Sequence, residues 1–95
     1  MIYSRLKGGY IFVMVNQVEL QRIKNIVSKI LEKSWNDNKY LSRLALITVG
    51  VQELSRQVKS SKDKSIKDIR VMQLQQISIS IVNQLIVKNK IKPMS

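Results

Sequence analysis

YLSRLALITVGVQELSRQV, residues 40 to 58, is the longest strongly apolar block in the chain, and the fold must be built around it. Tyr40, Leu44, Ile47, Val51, Leu54 and Val58 alternate at four and three residues, the spacing of an a/d seam along a helix. Such a seam needs cover, either from another helix of the chain or from a second copy. Leu41, Ala45, Leu46 and Val49 widen the apolar surface further, so the central helix is expected to touch two elements. Gly50 lies in the middle, where glycine costs about 1 kcal/mol relative to alanine unless a close contact or a helix break explains it.

Outward from this block, Asn16-Gln17-Val18-Glu19 has capping-box spacing, with Asn16 capping the first amides and Glu19 reaching back. Leu20, Ile23, Val27, Ile30 and Leu31 then make one stripe, which Trp35 extends as an anchor of core or interface. Asn36-Asp37-Asn38 reads as a turn from which Asp37 or Asn38 caps the central helix, and so short a link favours antiparallel neighbours. Beyond the block, Ser65 and Asp68 have the spacing of a helix start. Leu74, Ile77, Ile81 and Leu85 form a further stripe. Ile77-Ser78-Ile79-Ser80-Ile81 also alternates as a strand would, but the length and the capped start favour a helix. The expected fold is mainly α: a three-helix domain with a long central helix, over about 17–35, 38–59 and 65–88. Residues 16–90 would be the helical domain and 91–95 a disordered tail. Residues 1–15, with Lys7-Gly8-Gly9 as a turn, are either a short β-hairpin or an extension, and translation from Met14 would remove most of them.

Composition excludes several classes. With no cysteine and no histidine there are no disulfides, no common zinc site and no Ser/His or Cys/His nucleophile pair. Each of the six carboxylates stands where capping or helix-surface pairing accounts for it. No metal, cofactor or small-molecule substrate is expected, and the protein is read as non-enzymatic. Residues 71–87 carry no charge but too many Gln, Ser and Asn for a bilayer core, so no transmembrane segment is expected. The run Tyr10 to Val15 is too short for a signal-peptide core; together with the absence of cysteine this suggests a cytoplasmic location.

Seventeen Lys and Arg against six Asp and Glu give a formal net charge of +11. Such an excess points to a polyanionic partner, nucleic acid first and an anionic membrane surface second; no Trp or Phe adjoins the basic patch to insert into lipid. The densest positive stretch is RQVKSSKDKSIKDIR, with Arg56, Lys59, Lys62, Lys64, Lys67 and Arg70 as candidate phosphate contacts. Lys-rich helix surfaces are also commonly just solvated. No aromatic residue is interleaved, which favours duplex DNA backbone contacts over stacking on single strands.

VQELSRQVKSSKDKSIKDIRVMQL, residues 51 to 74, resembles the helix-turn-helix of small winged-helix regulators. The resemblance makes residues 51–58 the supporting helix, 59–64 the turn and Ser65 onward a recognition helix presenting Lys67 and Arg70, with residues 77–90 as the wing. An amino-terminal strand pair, the amphipathic helix ending near Trp35 and Leu44-Ala45-Leu46-Ile47 in a long helix together resemble ZapA-like proteins of the bacterial division ring. That resemblance implies a coiled-coil oligomer, although Thr48-Val49-Gly50-Val51 departs from the pattern. The functional expectation is a DNA-binding regulator or architectural protein, as a homodimer. The alternative is a protein–protein adaptor assembling through the 40, 44, 47, 51, 54 and 58 seam. Gly50 discriminates: a break there favours the helix-turn-helix, a continuous helix the oligomerisation spine.

Overall fold

A computed structural model of the chain describes residues 15–93. Within them lie α1 (Gln17–Asp37), α2 (Arg43–Ser60), the single turn α3 (Lys64–Lys67) and α4 (Val71–Val87). The mainly α expectation holds. The hairpin considered for residues 1–15 falls, apart from Val15, outside the described residues.

α1 starts where its sequence directs it, with Asn16 Oδ1 accepting from the Glu19 amide at 3.1 Å. The other half of the expected capping box is replaced: the Asn16 amide donates to Ser65 Oγ at 3.0 Å, while Glu19 pairs with Arg22 at 2.7 Å. Leu20, Ile23, Val27 and Leu31 are buried along one stripe of α1. Trp35 is half-buried against the core, with Lys39 Nζ 5.1 Å from its ring centroid in cation–π geometry. The α1–α2 turn differs from expectation. Asn38 terminates α1, and its Oδ1 accepts from the Tyr40 amide at 3.0 Å instead of capping α2. Ser42 caps α2, its Oγ accepting from the Ala45 amide at 3.0 Å, so the helix begins at Arg43 and Tyr40 lies outside it.

α2 runs through Gly50 without a break, and no glycine among the described residues has positive φ. Its buried residues are Leu46, Ile47, Gly50, Leu54 and Val58. At 100° per residue this stripe leaves Leu44 and Val51 at its margin, roughly 80° from the centre. The six-residue seam is therefore not one face. Leu54 and Val58 lie in the chain's own core and Ile47 is 9% exposed, whereas Val51 is half-buried, Leu44 is 72% exposed and Tyr40 is 88% exposed.

The third expected helix, 65–88, is two helices. Asp63, not Ser65, caps α3, accepting from the Ser65 amide at 2.9 Å; Asp68 closes the turn. Had the helix continued, Arg70 would stand in line with Leu74, Ile77 and Ile81, four, seven and eleven residues behind them, on the buried stripe. Breaking at 68–70 leaves Arg70 exposed and lets Ile69 join Ile66 in the core. α4 then starts with the Arg70 amide donating to Gln73 Oε1 at 2.7 Å. It ends on Asn89 in the left-handed region (φ 59°), with the Lys90 amide donating to Leu85 O at 2.9 Å and the Asn89 amide to Ile86 O at 3.0 Å. This is a Schellman stop, with asparagine in the place usually held by glycine. Residues 77–90 are thus helix and helix end, not a wing. Ile91, expected in a frayed tail, is fully buried.

The three long helices run up, down, up. Asn16 and Glu19 at the start of α1 bond to residues 61–65 just after α2 ends, which makes that pair antiparallel. Arg43 Nη2 donates to Asn83 Oδ1 at 2.9 Å, and Ser78 Oγ donates to Ile47 O at 2.7 Å, which makes α2 and α4 antiparallel. Gly50 lies where all three meet: a Cβ there would overlap Ser78 Oγ, stand 3.2 Å from Ser78 Cβ and touch Leu31 Cδ1 at 3.4 Å. The glycine is a close-packing device.

Candidate nucleic-acid interface

The start of α1, the end of α2, α3 and the start of α4 form one end of the bundle, and the candidate cations belong to it. Arg56 and Lys59 are on the last turns of α2, Lys62 is in the link, Lys64 and Lys67 are on α3, and Arg70 precedes α4. All six are exposed. Ile66 and Ile69 explain why. They alternate with Lys64, Lys67 and Arg70 and sink into the core, so the charged neighbours are left facing water. Two buried isoleucines inside a strongly charged segment were the signal that this stretch is anchored and not a solvated loop, and the spacing of the charges alone conceals it.

A web of polar contacts fixes the connection. Asn16 Nδ2 donates to Asp63 Oδ2 at 2.8 Å, Ser65 Oγ to Asp63 Oδ1 at 2.6 Å, and Ser61 Oγ to Glu19 Oε2 at 3.2 Å. Glu19 is held below the ordinary carboxylate range, first by its hydrogen bond from Arg22; Asp63 is held below it first by the Ser65 hydroxyl and then by Asn16. Both carboxylates therefore remain charged and structural. Their burden on the patch is local. Arg56 is engaged by Glu53 at 2.6 Å, whereas Lys59, Lys62, Lys64, Lys67 and Arg70 make no ion pair among the described residues.

The structure brings these six to one end but not onto one recognition helix. Residues 51–58, expected as a separate supporting helix, are the second half of an unbroken α2, and the helix is interrupted between Lys67, the last residue of α3, and Arg70, the cap of α4. The described residues therefore do not form the winged-helix arrangement. What remains chemically is a set of exposed ammonium and guanidinium groups on a pinned backbone at one end of the bundle, the chemistry that meets phosphate oxygens.

Among the described residues, no helix is long and apolar enough to cross a membrane, and no group of three or more carboxylates could hold a metal ion. Comparison with known proteins returns no family model, curated protein or solved structure that matches the chain.

Proposed function

We propose that the chain is a small, non-enzymatic nucleic-acid-associated protein that grips the phosphate backbone of duplex DNA through its basic end, in the manner of an architectural protein more than a sequence reader. The observation that carries this reading is the exposed ridge of Lys59, Lys62, Lys64, Lys67 and Arg70, free of ion pairs among the described residues and held by Ile66 and Ile69. A connection whose backbone is already ordered loses little loop freedom on binding. Neutralising about five phosphates would make the logarithm of the binding constant fall with the logarithm of salt at a slope near −4.5. Lys62→Gln, Lys64→Gln and Lys67→Gln together should reduce that slope by nearly 3 and weaken binding similarly on any duplex sequence. Duplex titrations from 50 to about 300 mM salt measure this. No binding at the low end, or a triple variant with an unchanged slope, overturns it.

The adaptor reading is favoured by two observations, the unbroken passage of α2 through Gly50 and the exposure of Tyr40 and Leu44. Burial of Ile47, Leu54 and Val58 leaves it half of the seam on which it was based, and of that half Val51 is itself half-buried.

A further inference from the structure

The positive charge of the chain is not confined to the basic end. From Val71 to Ser95 there is no carboxylate side chain, and the cations of this stretch, Lys88, Lys90 and Lys92, all follow α4. They are exposed and make no ion pair among the described residues. Their backbone is fixed as that of the basic end is. Ile91, fully buried, fastens the chain between Lys90 and Lys92, and the Lys90 amide is bonded to Leu85 O across the left-handed Asn89. A buried isoleucine between exposed lysines is the pattern that Ile66 makes between Lys64 and Lys67. Lys88 also lines a narrow, polar cleft, with Ser80 and Gln84 on its own side and Lys24, Asn25 and Ser28 of α1 on the other. Among the described residues no carboxylate lines that cleft.

We propose that Lys24, Lys88, Lys90 and Lys92 form a second phosphate-binding surface, so that one copy of the chain holds two duplex segments at once, one at each end of α4. The inference rests on the duplex-binding reading of the basic end. The chemistry suits phosphate oxygens: ammonium groups only donate, and the amides and hydroxyls of the cleft can turn a donor toward an anion. α4 sets the geometry. Arg70 caps its start and Lys88 its end, and its 17 residues hold the two about 25 Å apart. That is roughly three Debye lengths at 0.15 M ionic strength, so a polyanion bound at one end leaves the attraction at the other almost undiminished. Between its caps α4 carries no charge, and Val71, Met72 and Val87 are 62%, 77% and 80% exposed. A single duplex laid along the helix would set phosphates over these apolar side chains with no cation to neutralise them, whereas two duplexes at its ends each meet cations.

A capture experiment tests it: a short duplex is immobilised on beads, the full chain is added at about 50 mM salt, and recovery of a second, labelled duplex is measured alongside binding to the first. Recovered label should rise and then fall as protein is added, because excess protein occupies each duplex separately. Lys24→Gln, Lys88→Gln, Lys90→Gln and Lys92→Gln together should lower recovery at least about fivefold, with helicity unchanged and binding to the immobilised duplex through the basic end kept within about twofold. A wild-type chain that binds the immobilised duplex and recovers no second one overturns the proposal and leaves the basic-end reading standing. Recovery that survives the quadruple substitution also overturns it, and assigns bridging to chains joined elsewhere. A wild-type chain that binds no duplex overturns both.

Discussion

Gly50 and Ser78 meet without room for a single added methyl group. Replacing Gly50 by alanine improves helix propensity by about 1 kcal/mol, but the added methyl would overlap the Ser78 hydroxyl and crowd its Cβ. Overpacking costs roughly 1–3 kcal/mol, so Gly50→Ala should be destabilising on balance, by about 1 kcal/mol in urea unfolding. Ser78→Ala alone removes one buried hydrogen bond, worth about 1 kcal/mol, from a carbonyl that α2 already uses within its own ladder. Ser78→Ala made in the Gly50→Ala chain should cost far less than it does alone, because it also removes the clash. Additive costs would show that the two residues do not meet as described.

For the elements, the question is which residues start and stop them. Ser42→Ala should destabilise by about 1 kcal/mol, since it deprives the Ala45 amide of its cap. Asp37→Ala, at the position the sequence suggested as a cap, should change stability by only a few tenths of a kcal/mol, because it loses only an exposed pairing with Lys33. Thermal unfolding of the two variants distinguishes these origins for α2. α1 was legible because its cap residue, stripe and turn agree with one another. α2 was legible as a helix, but its start and its phase were not: Ser42 caps it, so Tyr40 precedes it, and an a/d count drifts against a straight helix of 3.6 residues per turn, which leaves Leu44 to one side of the face that Leu46 and Gly50 occupy. The break at 68–70 was legible only in hindsight, from the position Arg70 would otherwise take. The candidate cations were easy to find because charge needs no register. Their anchoring was not, since it depends on Ile66 and Ile69 having a cavity to enter, and only the three-dimensional packing supplies one.

Across the whole molecule, the basic end is fastened by carboxylates that must stay ionised. Glu19 and Asp63 both have folded-state values below their ordinary 4.5 and 3.8, so the stability they contribute is present above those values and is lost as pH falls through the lower folded ones. Melting temperature should therefore fall as pH drops below 4.5, with amide signals of residues 16 and 61–65 among the first to change. Asp63→Asn should flatten part of that decline. A melting curve independent of pH down to 3, or an Asp63→Asn chain with an unaltered profile, contradicts this account of how the connection is held. Since Lys62, Lys64 and Lys67 are placed by the same connection, acid loosening and a blurred cationic ridge should appear together.

The crossing of α2 and α4 also sets how the bundle can deform. To slide along its partner by one turn, about 5.4 Å, α4 would have to carry the Ser78 hydroxyl from Gly50 to the level of Leu46 or Leu54, where an isobutyl group fills the space and the Ile47 carbonyl is out of reach. Axial slip is blocked in both directions. The Gly50–Ser78 contact and the Ser78–Ile47 hydrogen bond therefore act together as a register lock between α2 and α4.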